Sequence, residues 1–257
     1  MKKFLKELIG FANIELFRSF FKTREEKVFL KRCKEFYLQL LKPGDIFFDV
    51  GANLGNRIEP LIGEQIKIIA VEPQSKCAKF LKKKYGVKIT IVEKGLSDKE
   101  GHQEFFISTM HTISSFSKDW VDSVKASKRF PEFEWNTKIS VPMTTLDNLI
   151  KEFGRPTFIK IDVEGFESIV LKGLSSPIDV ISIEYTVPEQ NEKVFECLDR
   201  IKSISKDILC NYSIGENFEW AFPNWLTYED MVQHIKSPEF VNTGWGDIYV
   251  KSIQKIL

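Results

Sequence analysis

Several short apolar runs in this sequence end in, or close to, a carboxylate. The acids are Asp49 in IFFDV, Glu72 in KIIAVE, Asp162 in TFIKID and Glu184 in DVISIEY. Acids at the ends of neighbouring strands converge on one crevice, where they repel one another unless a cation or many hydrogen-bond donors lie among them. Each acid taken alone could instead cap a helix. Together they predict a site for a ligand that is cationic or rich in donors.

A glycine turn follows the first of these acids. In FFDVGANLG, Gly51 and Gly55 flank Asn53, which stands where a dinucleotide-binding turn has its second glycine. Asp49 would also repel a diphosphate, so both features count against an NAD site. Glu72 stands about 20 residues after Gly51, the spacing at which an acid reaches a ribose diol. A ribose, an ammonium and a sulfonium without a diphosphate describe S-adenosylmethionine.

The elements that must position these residues alternate along the chain. Apolar runs predict strands at 46–50, 67–72, 87–93, 157–162, 179–185 and 246–253, with further candidates near 98–108, 139–143 and 207–220. Helical spacing of apolar residues predicts helices at 24–41, 75–85, 145–153, 165–173 and 189–203. This alternation predicts a doubly wound α/β fold with a mostly parallel sheet, in which the ligand lies beyond the carboxyl ends of the strands.

The composition fits one α/β domain with extensions. The 257 residues include 37 basic and 36 acidic side chains, and this balance lacks the basic excess of a nucleic-acid-binding protein. The four cysteines form no CxxC pair, which is typical of reduced packing residues in a cytoplasmic protein. We therefore expect a cytoplasmic location and no nucleic-acid partner. The sequence does not indicate an oligomeric state.

The chain divides into an N-terminal helical extension, expected at residues 1–41, and a ligand-binding domain at 42–257. Residues 1–22 are basic and rich in Phe and Leu, but they are too polar to span a bilayer and lack a signal-peptide cleavage site. They predict an amphipathic helix packed on the domain or on a partner, with shallow membrane-surface contact as the alternative. Residues 117–137 combine little periodicity with several aromatic residues, which predicts a lid or substrate-facing insertion.

Six motifs occur in an order that resembles the FkbM-type methyltransferases. They are DVGANLG at 49–55, VEP at 71–73, GLSD at 95–98, TISSF at 112–116, VPMTTLDNLI at 141–150 and IKIDVEGFE at 159–167. The resemblance covers roughly residues 40–190. It implies a Rossmann-like fold with a mostly parallel seven-stranded sheet and helices on both faces. It also implies S-adenosylmethionine as the cofactor and hydroxyl oxygens of sugars or polyketide-like natural products as methyl acceptors.

The resemblance assigns roles to the motif residues. It implies that Glu72 and Pro73 hold the ribose and that Gly95, Leu96 and Ser97 border the adenine. The methionine-binding turn would consist of Asp49, Gly51, Ala52, Asn53 and Gly55.

The segment NRIEPLIG after this turn departs from the family pattern. Apolar and small residues are typical there, whereas this chain has Glu59 and Pro60. Proline is tolerated in the first turn of a helix but not deeper. We expect a short helix whose N-terminus, with the glycine turn, meets the methionine carboxylate, in a slightly reshaped corner.

Methyl transfer to a hydroxyl needs alignment of the reacting atoms, exclusion of water and a group that takes the hydroxyl proton. Asp162 is the main candidate base because its strand ends beside the transferred methyl in this architecture. His111, whose titration range suits base catalysis, and Glu184 are further catalytic candidates. Ser115 could donate a hydrogen bond to cofactor or substrate. Asp162 and Glu184 could instead hold a divalent metal that acidifies a sugar diol, but no dense ligand cluster favours this.

The sequence thus predicts an S-adenosylmethionine-dependent O-methyltransferase that acts on a sugar, glycan or glycosylated natural product. Aromatic residues of 117–137, together with Trp220, Trp225 and Trp245, are candidates for stacking on a sugar, although core packing is the simpler assignment for most of them. Two alternatives stay open. One is a cofactor-binding protein without catalysis that serves in an assembly, and the other is an NAD-dependent enzyme, which Asn53 and Asp49 disfavour.

Overall fold

The computed structural model of the protein describes residues 10–253. Its α-helices are α1 (Phe11–Ser19), α2 (Arg24–Tyr37), α3 (Ser75–Tyr85), α4 (Lys118–Ala126), α5 (Leu146–Phe153), α6 (Glu167–Lys172), α7 (Asn191–Ile204), α8 (Tyr228–His234) and α9 (Pro238–Val241). Its strands are β1 (Ile46–Val50), β2 (Lys67–Val71), β3 (Thr90–Val92), β4 (Gly95–Leu96), β5 (Gly101–Ile107), β6 (Thr137–Thr144), β7 (Phe158–Ile161), β8 (Val180–Thr186), β9 (Ile208–Ile214), β10 (Leu226–Thr227) and β11 (Trp245–Ser252). The predicted alternation of strands and helices is confirmed.

Within the described residues, eight strands form one sheet in the order β10-β9-β11-β8-β7-β1-β2-β3. The strands from β8 to β3 are parallel, and β11 lies antiparallel between β8 and β9. The expected number of seven strands is wrong by one. The additional strand, β10, has two residues and pairs with β9 at the edge, and two residues carry too little apolar pattern to predict a strand.

Strand β1 lies at the topological switch point of the sheet, where the strand order reverses. Strands β2 and β3 lie on one side of β1, and β7 and β8 lie on the other. Such a switch point opens a crevice beyond the carboxyl ends of the strands. The register pairs Asp49 of β1 with Lys160 of β7, so both side chains project from the same face of the sheet.

Apolar side chains cover both faces of the sheet. On one face, α2 buries Phe36 and Tyr37 against Phe47 of β1 and Phe158 of β7. The rings of Phe47 and Phe158 stack with their centroids 5.1 Å apart. On the other face, α5, α6 and α7 pack their aliphatic side chains against strand residues such as Ile159. A parallel sheet is covered on both faces, which explains why its strands are continuous apolar runs in the sequence.

A second, three-stranded sheet has the order β4-β6-β5, with β5 antiparallel to β6. The segment 117–137 packs near it and contains helix α4 despite its weak periodicity. Ser117 caps this helix by accepting the N–H of Trp120. Trp120 and Trp135 are buried in a small apolar cluster, so these two rings are core residues rather than open stacking faces.

The segment after β1 does not form the helix that we expected. Residues Glu59–Leu61 form a single 3-10 turn that contains Pro60. Because proline lacks an N–H group and its ring collides with the preceding turn, it does not continue a helix. The N-terminus of an α-helix therefore does not supply positive potential at this corner of the cavity, as far as residues 10–253 show.

Some element ends differ from the predicted ones. Helix α2 ends at Tyr37 rather than at residue 41, and β8 continues to Thr186, beyond Glu184. The helix predicted within residues 1–22 corresponds to α1 for its described part, whereas residues 1–9 lie outside the described residues. Every helix in the described part of the chain is too short or too polar to cross a bilayer. The division of the chain at residues 41 and 42 stays a prediction.

Candidate active site

A cavity of about 450 Å³ opens beyond the carboxyl ends of the parallel strands. The order of the strands in the main sheet sets the order of the acids along it: Glu184 on β8, Asp162 after β7, Asp49 on β1 and Glu72 after β2. Leu96 on β4 of the small sheet also lines the cavity. A ligand that lies along this edge meets acids at one end and apolar side chains at the other.

Most of the predicted site residues line this cavity. They are Asp49, Gly51, Ala52, Asn53, Glu72, Pro73, Gly95, Leu96, His111, Asp162 and Glu184. Three predicted contacts, Gly55, Ser97 and Ser115, do not line it. The Ser115 hydroxyl is engaged within the protein, because it donates to the Glu164 carbonyl at 2.6 Å and accepts the N–H of Ser117 at 2.8 Å. The expected hydrogen bond from Ser115 to a ligand is therefore replaced by a structural one.

Hydrogen bonding within the small sheet and close packing explain why Ser97 and Gly55 do not line the cavity. The N–H of Ser97 donates to the carbonyl of Thr144 at 2.9 Å, which joins the small sheet. Gly55 has φ +76, and a Cβ there would lie 2.9 Å from the side chains of Leu81 and Tyr85. Gly55 thus permits helix α3 to pack closely against the turn. Its place in the motif reflects packing rather than ligand contact.

Gly51 is required where two strand ends meet. Its φ is +87, a backbone conformation that favours glycine. A Cβ at this position would lie 1.8 Å from the carbonyl oxygen of Asp162. The N–H of Asp162 in turn donates to the carbonyl of Val50 at 3.0 Å. Glycine at 51 therefore allows the ends of β1 and β7 to close together and fixes the backbone of Asp162.

Two charged side chains of the cavity wall carry buried atoms without a partner. Asp49 is 2% exposed, and its Oδ2 accepts no hydrogen bond from residues 10–253. Arg57 donates from Nη2 to Glu216 at 2.9 Å and lies over the rings of Phe29 and Phe218. Its buried Nη1 has no partner in the same part of the chain. Because buried polar atoms are nearly always paired, a ligand with one cationic and one anionic group fits here.

Burial raises the pKa of both acids beside the glycine turn. The pKa of Asp49 is about 6 because burial outweighs the opposing charge of Lys160. Burial raises the pKa of Glu72 to about 7, although Glu72 accepts the N–H groups of Gln74 and Asn53, each at 2.7 Å. These two hydrogen bonds fix the Glu72 carboxylate at the cavity wall. Its remaining lone pairs are available to a donor such as a diol.

The end of the cavity beyond Glu72 is apolar. The side chains that line it are Leu96, Phe105, Ile113, Phe116 and Phe166. The rings of Phe105 and Phe116 lie with their centroids 4.5 Å apart. A flat heterocycle fits such a lining, because it buries apolar faces and exposes few polar edges.

A buried lysine compensates the acids at the opposite end. Lys160 Nζ donates to Asp162 Oδ2 at 2.6 Å and lies 3.7 Å from Asp247 Oδ1. Burial alone would lower the pKa of Lys160, but the charges of Asp162 and Asp247 raise it above its ordinary value. Burial alone would raise the pKa of Asp162, but the ammonium of Lys160 holds it below its ordinary value. Asp162 is therefore ionised at neutral pH, and its side chain is 30% exposed.

Glu164 and Glu184 form an acidic cluster with Asp162. One carboxylate oxygen of each residue lies within 4.8 Å of the others, a spacing at which three ligands could hold a metal ion. Burial, followed by the charge of Asp162, raises the pKa of Glu164 and of Glu184 well above the ordinary range. Burial and the neighbouring charges therefore favour the protonated form of both glutamates. A metal ion would have to displace these protons to bind.

Comparison with protein families identifies the chain. A family model described as the methyltransferase FkbM domain matches residues 49–219, which is more than half of the sequence. The chain belongs to the FkbM methyltransferase family. No curated protein sequence matches it.

Solved structures of methyltransferases show a distant similarity to this FkbM protein. Precorrin-6y C5,15-methyltransferase from Geobacter metallireducens is 12% identical, with 90% of this chain and 89% of that chain covered and a TM-score of 0.40. A SAM-dependent O-methyltransferase from Thermotoga maritima is 14% identical, with 88% and 66% covered and a TM-score of 0.42. An rRNA methylase from Streptococcus thermophilus is 11% identical, with 86% and 94% covered and a TM-score of 0.41. The assignment rests on the family match and the strand order, not on these similarities.

The FkbM family implies S-adenosylmethionine as the cofactor, and the cavity residues fit it. The unpartnered atoms Asp49 Oδ2 and Arg57 Nη1 match the ammonium and the carboxylate of its methionine part. The fixed carboxylate of Glu72 matches the ribose hydroxyls. An apolar lining that includes Leu96 matches the adenine.

His111 of this FkbM protein lies over the glycine turn. Its carbonyl accepts hydrogen bonds from the side chains of Asn53 at 3.2 Å and Gln74 at 2.9 Å. Burial, with a smaller contribution from the charge of Lys76, lowers the pKa of His111 to about 4. The sequence analysis chose His111 as a candidate base because the ordinary titration range of histidine suits base catalysis. That expectation is wrong for the folded protein, in which the His111 ring is neutral and only weakly basic.

The sequence analysis missed several charged residues of the FkbM cavity, among them Lys160 and Arg57. Lys160 left a signal, since a lysine interrupts the otherwise apolar strand TFIKID, and Lys, when fully buried, is almost always paired. The sequence gives no comparable indication that Arg57 lines the cavity. The position of its side chain depends on the local backbone, where a 3-10 turn replaces the expected helix. Arg129, which also lines the cavity, is held by Glu189 through two hydrogen bonds of 2.9 and 2.7 Å.

Proposed function

We propose that the protein transfers the methyl group of S-adenosylmethionine to a hydroxyl oxygen of a sugar, glycan or glycosylated small molecule. The observation that carries this proposal is the pair formed by Lys160 and Asp162. It provides an ionised carboxylate, held by a buried ammonium at 2.6 Å and partly exposed. Because a hydroxyl is a weak nucleophile, its methylation is faster when a positioned group accepts the hydroxyl proton.

The chain would hold the cofactor along the strand edge. Leu96 and the neighbouring rings would border the adenine, Glu72 would accept from the ribose hydroxyls, and Asp49 and Arg57 would pair with the ammonium and the carboxylate. When bound, the cofactor supplies an electrophilic methyl group on a sulfonium centre. A cation beside Asp49 would lower the pKa of about 6 that burial gives this acid, so Asp49 would be ionised in the complex.

Asp162 would act as the general base. It would take the proton of the acceptor hydroxyl, while a cofactor held by Asp49, Arg57 and Glu72 would supply the electrophilic methyl group. Lys160, which donates to Asp162 at 2.6 Å, keeps this carboxylate ionised before the reaction. This hydrogen bond fixes the orientation of the Asp162 carboxylate, which favours a reactive alignment.

The mouth of the cavity supports a carbohydrate acceptor. Trp245 is 42% exposed and lines the cavity together with Phe130 and Glu164. An open aromatic face beside a few polar groups is typical of sites that orient a polar ring. Trp220 and Trp225, the other predicted stacking residues, pack against the core beside α2 and do not line the cavity.

Incubation of the full chain with methyl-labelled cofactor and a panel of nucleotide sugars, oligosaccharides and glycosylated natural products tests the proposal. We expect label on an oxygen of at least one acceptor, located by mass spectrometry. Asp162→Asn should lower kcat about 100-fold and change binding of S-adenosylhomocysteine less than about threefold. Label found only on nitrogen or carbon, or full turnover by Asp162→Asn, would contradict the proposed chemistry. Cofactor binding without transfer to any acceptor would favour the non-catalytic alternative.

A further inference from the structure

Helix α1 and the residues after it present an exposed aromatic face. Phe17, Phe20 and Phe21 are 65%, 72% and 68% exposed, and the rings of Phe17 and Phe21 lie with their centroids 5.1 Å apart. Helix α1 contains no buried residue. Single exposed hydrophobic residues are common, whereas a group of large apolar side chains on one short segment marks an interaction surface.

The helix that supports α1 is strongly basic. The segment 75–88, which contains α3, includes six lysines and no acid, although the whole chain has a net charge of only +1. Its residues Lys79, Lys82 and Lys83 are exposed. Helix α1 packs along α3, and Lys83 donates to Asn13 of α1. The aromatic face and the lysines therefore belong to one continuous surface.

The acids of this surface are already paired. Glu15 accepts from Arg18 at 2.7 Å, and Glu59 is bound by both Lys22 and Lys84. The exposed lysines of α3 therefore keep a local excess of positive charge. Such charge attracts an anionic surface and repels a second copy of itself.

We infer that α1 and α3 form a docking surface for an anionic lipid bilayer. The three phenylalanine rings would enter the boundary between headgroups and acyl chains, and the lysines of α3 would face the lipid phosphates. Apolar area inserted at the interface and attraction of lysines to anionic lipids are the two contributions on which such binding depends. A self-associating face would have to bring the same basic helices together, so charge complementarity favours the bilayer.

The docking surface adjoins the cavity. The ring of Phe11 on α1 packs edge-on against His111, with centroids 5.6 Å apart. The carbonyl of His111 accepts from Asn53 and Gln74, which line the same cavity. Docking through α1 would place the cavity close to the lipid surface. The inference does not depend on which acceptor is methylated or on whether transfer occurs.

Co-sedimentation of the full chain with vesicles tests the inference. We expect about tenfold stronger partition into phosphatidylcholine vesicles that contain phosphatidylglycerol than into phosphatidylcholine alone, with the difference reduced by salt. A triple variant Phe17→Ser, Phe20→Ser, Phe21→Ser and a triple variant Lys79→Glu, Lys82→Glu, Lys83→Glu should each lose about tenfold or more.

A matched charge control carries Lys99→Glu, Lys151→Glu and Lys206→Glu, three exposed lysines outside α1 and α3. It should partition like the parent protein. Circular dichroism checks that each variant is folded. Equal partition into both vesicle types, or equal loss in the control variant, would overturn the inference. So would a parent dimer, seen by light scattering, that the phenylalanine variant converts to a monomer while neither protein binds vesicles.

Discussion

Lys160 Nζ and Asp162 Oδ2 lie 2.6 Å apart at the carboxyl end of β7. Alternate residues of a strand share one face, so the strand itself brings the ammonium and the carboxylate together. Asp247 Oδ1 on β11 lies 3.7 Å from the same Nζ, and the Asp247 side chain is only 8% exposed. Of the two carboxylates that Lys160 neutralises, Asp162 is therefore the one that is open to a ligand. This asymmetry makes Asp162, rather than Asp247, the candidate base.

Replacement of Lys160 should favour protonation of Asp162, the proposed base, without removing its carboxyl group. In Lys160→Met, burial is no longer opposed by the ammonium, so the pKa of Asp162 should rise. We expect the acidic limb of the kcat–pH profile to move up by about three to five units, so that kcat at neutral pH falls about tenfold at the upper end of that range. Breaking the pair should also cost roughly 3 kcal/mol, measured by urea unfolding.

Lys193→Met is the matched control for this variant. Lys193 pairs with Glu196 on the exposed surface of α7 at 2.8 Å, and such pairs contribute little to stability. The control should keep the parent pH profile. A Lys160→Met enzyme whose kcat drops with no movement of the acidic limb would show that Lys160 acts only through the fold.

Arg57 should matter only for ligands that carry the amino-acid part of the cofactor. Arg57→Gln removes the Nη1 donor that has no partner among residues 10–253. A charge-assisted hydrogen bond contributes about 2 kcal/mol, so binding of S-adenosylhomocysteine should weaken about 30-fold by titration calorimetry. Binding of 5′-methylthioadenosine, which lacks the amino-acid part, should change less than about twofold. Equal loss for both ligands would assign Arg57 to the fold rather than to the carboxylate. Arg155→Gln, at an exposed pair with Asp179, provides the surface control.

The acids at the strand ends were predictable because they depend on local pattern. Short apolar runs indicate buried strands, and parallel strands place their carboxyl ends at one edge, so Asp49, Glu72 and Asp162 follow from the sequence. The parallel order β8-β7-β1-β2-β3 agrees with this reasoning. The family motifs added the cofactor, which periodicity alone does not specify.

The charge balance of the site was not predictable in the same way. The pKa of Glu184 rises well above the ordinary range because burial and the charge of Asp162 act together, and both effects require the tertiary structure. The neutral state of His111 has the same origin, since burial lowers its pKa to about 4. Arg57, which lines the cavity, lies just before the 3-10 turn that replaces the helix expected after the glycine turn, and this local backbone was not predicted from the sequence.

Metal removal should leave the activity unchanged. Lys160 already compensates Asp162, and burial favours the protonated forms of Glu164 and Glu184, with which a cation would have to compete. We expect kcat/KM in excess EDTA to stay within about twofold of its value with added Mg²⁺. The carboxylates Asp162, Glu164 and Glu184 lie close enough to hold a metal. Loss of activity in EDTA that Mg²⁺ or Mn²⁺ restores would therefore identify them as ligands, and Glu164→Gln should then weaken the metal dependence.

The stability of the ligand-free protein should fall as pH rises through the range in which Glu72 titrates. Burial raises the pKa of Glu72 to about 7 in the folded protein, whereas the unfolded chain has a value of about 4.3. Between these values the folded state keeps a proton that the unfolded state has lost. The stabilisation is therefore complete below pH ~4 and is lost as pH rises to ~7, by about 4 kcal/mol. Urea unfolding at several pH values measures this slope. Glu72→Gln should reduce this slope by the contribution of one group, because Asp49, Glu167 and the pair Glu164 and Glu184, whose pKa values burial also raises, keep the remainder. An unchanged slope in Glu72→Gln would show that Glu72 is ionised in the folded protein throughout this range.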